Sequence, residues 1–170
     1  MKKALFLDRD GILNKVVMRN GWISSPWSVA EFEIVHEAKE LVNTAKARDY
    51  LVAVVTNQPD VGRGNMSLDE LEAMHRVLRE SFSLDDIEVC TTGDDAAFRR
   101  KPNPGMIFEL ARKFDIVLLD SFLLGDNEKD ITAGKRAGVK TVLLQNSSNR
   151  NIHGIADYNC SAYNEVIELL

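Results

Sequence analysis

The sequence predicts an α/β fold: a three-layer α/β/α sandwich with a mainly parallel sheet and no large cap domain. Two observations carry this. Short, uninterrupted apolar runs alternate with segments of helical period along the 170 residues, as in sheets whose strands are joined through helices. The polar residues of greatest chemical interest sit directly after those runs, where parallel sheets gather their ligands. The length suits one domain with a sizeable core, so residues 1–170 read as a single domain.

The elements follow in order. Ala4-Leu5-Phe6-Leu7 is a buried strand. In "HEAKELVNTAKARD", Ala38, Leu41, Val42 and Ala45 share a helical face. Residues 51–56, "LVAVVT", form a second strand with no polar alternation, the pattern of a strand covered on both faces. "SLDELEAMHRVLRESF" opens with Ser67 and Glu70, a capping-box start, and repeats Leu68, Leu71, His75, Leu78 and Phe82 at helical spacing. "IEVCT" (87–91) is a third strand. "NPGMIFELARKF" places Pro104 at a first helical position behind Asn103 as N-cap. "SFLLGD" (121–126) and "TVLLQ" (141–145) are the fourth and fifth strands, with a short helix over 128–137 between them. "SAYNEVIELL" reads as a final helix capped by Ser161. Residues 14–33, with "MRNGWISSPWS", lack periodicity and read as a loop or flap beside the first strand.

Composition excludes several classes. A formal charge of −5 opposes general affinity for nucleic acid or an anionic membrane. Cys90 and Cys160 have no paired spacing, so neither a disulfide framework nor a four-ligand zinc site is supported. The four apolar residues after "MKK" are too few for a signal-peptide core, and no apolar run approaches membrane-spanning length. A cytoplasmic protein, monomeric or a small homo-oligomer, is expected.

Asp8 and Asp10 follow the first strand, Thr56, Asn57 and Gln58 the second, and Asp126 the fourth, with Asp130 four residues on; Lys101 precedes "PNPGM". Parallel strands bring these ends to one edge. Crowded carboxylates repel one another, and a magnesium ion, which takes a few carboxylate oxygens and keeps several waters, relieves the repulsion. A phosphate group beside the metal meets Thr56 and Lys101. Asp8 is then placed to attack phosphorus, and Asp10 to protonate the leaving oxygen and later deprotonate water. Each piece also has a structural reading. Asp-Arg-Asp-Gly alone makes a turn, and "GDNEKD" caps a helix. His36 and His75 read as surface or packing residues in helical segments, His153 as a loop residue, and Gly134 and Gly138 as packing or helix-end residues. Four such coincidences, each after a strand, favour the chemical reading.

Taken together, "DRDG", "VTN", "RRKPNPGM" and "GDNEKD" resemble the haloacid dehalogenase (HAD) phosphatase superfamily. "FLDRDGILN", "TNQPDVGRG" and "RKPNPGM" resemble its heptose bisphosphate and histidinol phosphate phosphatase group. The likeness runs from Leu5 to about Val142. It implies a Rossmann-like sandwich, Asp8 as nucleophile, Asp10 as general acid–base, and Thr56 and Lys101 on the phosphate. It implies magnesium held by the Asp8 side chain, the Asp10 carbonyl and Asp126, and places Asn57, Gln58, Arg63 and Arg100 near the substrate. The implied substrate is D-glycero-D-manno-heptose 1,7-bisphosphate or a related sugar phosphate, with histidinol phosphate or a polynucleotide end as alternatives. A receiver-like phospho-aspartate signalling domain is the non-enzyme alternative.

Three departures from the group stand out. Its zinc loop needs Cys-x-His before Cys-x-Cys; here Thr92 occupies the histidine place and "DDAAFRR" supplies no cysteine, so no structural zinc is expected. Ile12 follows Asp-Gly where threonine is common. Pro59-Asp60 stands where serine-glycine is common, and the added carboxylate of Asp60 is expected to repel a doubly phosphorylated substrate. Gaps of about 45 residues from Asp10 to Thr56, and again to Lys101, are filled by a flap or loop and one helix, which leaves no room for an inserted cap.

Overall fold

Apolar runs with no room for charge become the centre of a sheet. The computed structural model describes residues 2–152 and 154–170, with only the backbone of Arg150, so His153 lies outside the described residues. The strands are β1 (Lys3–Leu7), β2 (Val17–Arg19), β3 (Trp22–Ser24), β4 (Tyr50–Asn57), β5 (Asp86–Cys90), β6 (Phe122–Gly125), β7 (Lys140–Leu144) and β8 (Tyr158–Cys160). The helices are α1 (Ala38–Ala47), α2 (Pro59–Gly62), α3 (Leu68–Ser81), α4 (Gly105–Phe114), α5 (Glu128–Ala137) and α6 (Tyr163–Leu169).

Six strands form one sheet in the order β5-β4-β1-β6-β7-β8, and every pairing in it is parallel. Side chains alternate across it, as the pleat requires. Leu5, Leu7, Val52 and Val54 point to one face with Leu41 and Val42 of α1, Leu78 of α3 and Val166 of α6. Ala4, Phe6, Leu51, Ala53 and Val55 point to the other with Ile107 and Leu110 of α4 and Ala133 of α5. The residues expected on the buried face of α1 are all buried. Two helical layers around a parallel sheet thus bear out the sandwich, with no large cap domain.

The structure differs from the sequence reading at several ends. The flap contains a hairpin, β2 paired antiparallel to β3, turning on Asn20 (φ 51°) and Gly21 (φ 82°). Two consecutive positive φ angles are what a two-residue type I′ turn demands. β8 adds a sixth strand to the sheet; it is short, and only Cys160 of its residues is buried, so it carries no apolar run to read. The capping box at α3 is half formed. Ser67 accepts from the Glu70 amide, but the Glu70 carboxylate turns to the Val29 amide in the flap, 2.9 Å away. Leu68, at the first turn, is 65% exposed, whereas Leu71, His75, Leu78 and Phe82 are buried. Asn103 does not cap α4: its amide donates to Asp95 and Ala97 carbonyls and its carbonyl accepts from Arg136. Ser161 does not cap α6; Ala162 occupies that position. His36 lies exposed in the turn before α1 rather than in the helix.

Gly134 is a packing residue. It lies where α5 meets β6 and β7, and a Cβ there would stand 2.6 Å from Thr141 Cγ2 and 3.2 Å from Leu123 Cδ2. Both neighbours belong to β strands that the helix covers, so neither yields freely. Gly134→Ala is expected to destabilise the chain by about 1–3 kcal/mol, the usual range for overpacking, read as a lower urea midpoint with unchanged slope. A midpoint at or above that of the parent would show that the helix lifts without penalty.

Candidate active site

β1 lies between β4 and β6, with Leu7 opposite both Val54 and Leu124. The residues that follow these three strands therefore emerge side by side at one edge. The Asp8 amide is still tied to the Leu124 carbonyl at 2.9 Å, which fixes where its side chain starts. Lys101 arrives from the loop before α4 and is buried. Its ammonium donates to Asp8 Oδ1 at 2.7 Å and to Asp130 Oδ1 at 2.6 Å. Asp8, Asp126 and Asp130 each offer a carboxylate oxygen, and the three lie within 4.8 Å of one another. Gly11 makes room for this: at φ +84°, any Cβ there would stand 2.1 Å from Asp126 Oδ2.

Asp130 is the member whose role the sequence leaves open. It does two things. One oxygen accepts from Asn127 N at 3.2 Å and, with Asn127 accepting from the Lys129 and Asp130 amides, completes the capping box of α5. The other holds Lys101. Asn149, buried in the loop after β7, is a residue that sequence reasoning missed. It donates to the carbonyls of Asp126 (2.7 Å) and Leu144 (2.8 Å) and so fixes the Asp126 backbone from behind. An asparagine in a polar run carries no periodic signal that would have marked it.

Asp10 stands apart from the three clustered carboxylates. Its Oδ1 accepts from Arg9 Nε (3.1 Å), Arg9 Nη2 (2.9 Å) and Asn14 Nδ2 (2.9 Å). Its Oδ2 accepts from Gln58 Nε2 (2.7 Å), Ser25 Oγ (2.8 Å) and, at 3.2 Å, Arg9 Nη2. The Arg9 guanidinium is fully buried, 5.5 Å from the Phe32 ring centre. The site thus has two charge compartments: Asp10 balanced by Arg9, and Asp8, Asp126 and Asp130 opposed, among the described residues, by Lys101.

Ionisation follows this division. Burial raises Asp8, the neighbouring Asp130 adds to it, and Lys101 only partly offsets them, leaving Asp8 pushed up to about 8. Burial, with Asp130 beside it, likewise pushes Asp126 up to about 7. Burial also opposes the charge on Asp10, but Arg9 and the bonds from Asn14, Gln58 and Ser25 outweigh it and hold the carboxyl below its usual range. Lys101 is raised: burial acts against its charge, and Asp130 and Asp8 overcome that. His75 is buried beyond Arg9; burial first, then the Arg9 charge, lowers it to about 4. It is a neutral packing residue near pH 7.

The other expected site residues take distinct places. Thr56 and Gln58 are buried and do not line the cavity in front of the site. Thr56 Oγ1 accepts from Gln58 Nε2 at 2.9 Å, so the Gln58 amide is spent on Asp10 and Thr56. Asn57 grips the Lys101 backbone, accepting from its amide at 3.0 Å and donating to its carbonyl at 2.8 Å. Arg100 lines the cavity, its Nε donating to Asp95 at 2.8 Å and its Nη1 to the Thr92 carbonyl at 3.0 Å. Arg63 also lines it, largely exposed and 3.4 Å from Asp60. Asp60 also lines the cavity, bonded to Asn65 (3.0 Å) and Arg63, so the carboxylate expected beside the site stands there. The cavity measures about 1240 Å³. Trp22 and Ile23 of the hairpin line it on one side and Ser147 and Ser148 on another. Trp22 is 79% exposed, whereas Trp27 packs its ring under the Arg19 guanidinium at 3.8 Å.

A parallel sheet with clustered carboxylates and one lysine at its carboxyl edge is an arrangement suited to phosphoryl transfer. The HAD-hydrolase-like family model matches residues 98–158. The chain is 35% identical to the D-glycero-beta-D-manno-heptose-1,7-bisphosphate 7-phosphatase of Helicobacter pylori, over 99% of this chain and 97% of that one. It is 37% identical to the D-glycero-alpha-D-manno-heptose-1,7-bisphosphate 7-phosphatase of Burkholderia mallei, over 84% and 79%. Among solved structures it is similar to the D,D-heptose 1.7-bisphosphate phosphatase from B. bronchiseptica complexed with magnesium and phosphate. The TM-score is 0.84, the identity 28%, and the coverage 98% of this chain and 97% of that one. The chain belongs to the HAD phosphatases. The receiver-like alternative falls with that result, and the order of residues agrees: Lys101 precedes the strand that leads to Asp126.

Once ionised, three carboxylates against the one ammonium among the described residues leave two negative charges among hard oxygen donors, the charge and chemistry that magnesium satisfies. Without metal, Asp8 and Asp126 keep protons in the folded chain that the unfolded chain releases near pH 4. The folded state then binds more protons, so stability falls as pH rises from about 4 to about 8. Magnesium, which takes the ionised form, offsets that loss most at the upper end. The rise in melting temperature on adding magnesium is expected to be larger at pH 8 than at pH 6. An equal rise at both would show that the carboxylates are ionised throughout.

Proposed function

We propose that the chain is a magnesium-dependent phosphatase of a small sugar phosphate, with D-glycero-D-manno-heptose 1,7-bisphosphate as the first candidate and the 7-phosphate as the group removed. The observation that carries the reading is the Asp8–Lys101–Asp130 contact beside Asp126, set at the mouth of an open cavity. The activities of its relatives support the substrate. Both the alpha and the beta anomer occur among them, so the anomer is decided by assay.

Asp8 attacks phosphorus, forming an Asp8–phosphoryl bond as the bond from phosphorus to the sugar oxygen breaks. Asp10, outside the cluster of Asp8, Asp126 and Asp130, rests as the anion; it takes up the proton carried by the phosphate monoester monoanion and passes it to that oxygen. Water then attacks the acyl phosphate, gives its proton to Asp10 and releases inorganic phosphate, which restores both carboxylates. Lys101 holds phosphoryl oxygens by charge, and Thr56 stands beside Asp10 through Gln58. Asp8, Asp126 and Asp130 supply the oxygens that would hold magnesium, with the Asp10 carbonyl added by the family's pattern. When bound, the ion neutralises charge on the transferring group and lowers the repulsion between it and Asp8. Asn57 and Gln58 serve as positioning residues, for Lys101 and Asp10 respectively, while Arg63 and Arg100 face the substrate body. The 92–99 loop is braced by Asp95 on Arg100, Asn103 on Ala97, and Arg99 on Glu109, which supports an arrangement without zinc.

Phosphate release is measured with magnesium on both heptose bisphosphate anomers, histidinol phosphate and a 3′-phosphorylated oligonucleotide. The heptose bisphosphates are expected to give the highest kcat/KM, and Asp8→Asn to reduce turnover by at least about 10³-fold with the fold intact, as removal of a covalent nucleophile does. Turnover retained by Asp8→Asn would remove Asp8 as nucleophile. A higher kcat/KM on histidinol phosphate or the oligonucleotide would replace the substrate.

A further inference from the structure

Asp10 is held by donors from four residues, and three of them belong to the rigid strand ends: Arg9 and Asn14 after β1, and Gln58 after β4. The fourth, Ser25, belongs to the flap. Its hydroxyl reaches Asp10 Oδ2 at 2.8 Å, across 15 residues of chain that contain the whole hairpin. The segment around it is braced. Arg19 in β2 stacks on the Trp27 ring at 3.8 Å, bonds Glu31 through Nη1 at 3.0 Å and also through Nη2, and reaches the Ser25 carbonyl at 3.5 Å. Glu31 in turn accepts from the Trp27 amide at 2.8 Å. Pro26 follows Ser25 and restricts its backbone to extended forms. Beyond this base the hairpin carries Trp22 and Ile23 to the cavity wall. A hydroxyl on a braced base, beneath a tip that faces the substrate space, joins the two.

We propose that Ser25 is a positioning residue for the proton transfer by Asp10, and that through it the flap holds Asp10 Oδ2 in line with the leaving oxygen of the substrate. The inference rests on the phosphatase reading and on Asp10 as its proton donor. A carboxylate turns about its χ2 bond in a broad energy well. Arg9 and Asn14 grip mainly Oδ1, so the bonds at Oδ2 decide where the second oxygen points. Loss of the Ser25 bond leaves Gln58 as the principal tie there. The charge compartment of Asp8, Asp126 and Asp130 shares no hydrogen bond with Ser25 among the described residues, so metal and nucleophile are left in place.

The test compares two leaving groups. An alkyl alcohol leaves only when protonated, whereas p-nitrophenolate leaves without help, so the general acid matters to the first and not to the second. kcat/KM is measured for Ser25→Ala on D-glycero-D-manno-heptose 1,7-bisphosphate, or on any alkyl phosphate that the parent turns over, and on p-nitrophenyl phosphate. The expected result is a loss of about tenfold on the alkyl phosphate, part of the roughly 10²–10⁴-fold that a general acid contributes, a change of less than about twofold on p-nitrophenyl phosphate, and restoration of the alkyl rate by Ser25→Thr. Equal losses on both substrates would make Ser25 a structural support only and overturn the proposal. So would an unchanged alkyl rate, or a threonine variant as slow as the alanine one. Asp10→Asn is run beside them. If it keeps the alkyl rate, the assignment of Asp10 has failed; if it is inactive while Ser25→Ala matches the parent, only the role of Ser25 has failed.

Discussion

The site depends on a buried imbalance of charge: Asp8, Asp126 and Asp130 around the ammonium of Lys101, the one cation that pairs with them among the described residues. Charges removed from water persist only when partners meet them, and removing one partner of a buried pair costs about 3–5 kcal/mol. Lys101 is therefore fixed from two directions. Its ammonium lies between two carboxylates, and its backbone is gripped by Asn57 at the end of β4. The same constraint explains why the acids arrive on three separate elements. The parallel register sets the ends of β1, β4 and β6 side by side, so carboxylates distant in the chain converge without any of them crossing the apolar layers.

The second compartment matters as much for what it keeps out. Arg9, Asn14, Gln58 and Ser25 hold the Asp10 carboxyl below its usual range, so it rests as an anion met by protein donors rather than by the cluster of Asp8, Asp126 and Asp130. Asp10 stands two residues from Asp8, on a chain turning through Gly11, and its carboxylate points into donors rather than towards Asp126. Arg9, between the two aspartates in sequence, is the residue that makes the separation. It is fully buried and spends its guanidinium on Asp10, so one aspartate of the pair is neutralised by protein and the other is left to Lys101 and a cation.

Most of the sheet was legible because its strands are continuous apolar runs and its helices carry one apolar face. Pattern marks what is buried on a regular lattice, and so it found β1, β4, β5, β6 and β7 and the buried face of α1. It failed where structure is set by a few specific bonds. The hairpin rests on the backbone of Asn20-Gly21, a signal that stands in "RNGW" but is drowned by the polar run around it. β8 is an edge strand too short and exposed to alternate. The site was legible as a set because strand ends carry acids in compatible order; the structure brings Asp8, Lys101 and Asp126 together with Asp130 at one edge and sets Asp10 apart beside Arg9. What sequence could not give was the division of labour. Gln58 turns inward to Asp10, Asn57 turns to the Lys101 backbone, and Asn149 supports Asp126 from a loop with no pattern of its own.

The residues that resisted assignment are those with two roles, and this has a physical basis. At a strand end the chain must satisfy the first amides of the next helix while presenting charge to a ligand, and one carboxylate has two oxygens. Asp130 gives one oxygen to the α5 cap and the other to Lys101. Its reading as a helix cap and its reading as a site residue are both true, one for each oxygen. The cap aligns the carboxylate by two further bonds through Asn127, so the orientation that Lys101 needs is supplied by helix formation itself. A carboxylate recruited to the site without such a cap would be free to rotate, and the distance between Lys101 and the cluster would vary with it. Folding of α5 and assembly of the site are in that sense a single event, decided by the spacing of Asn127 and Asp130.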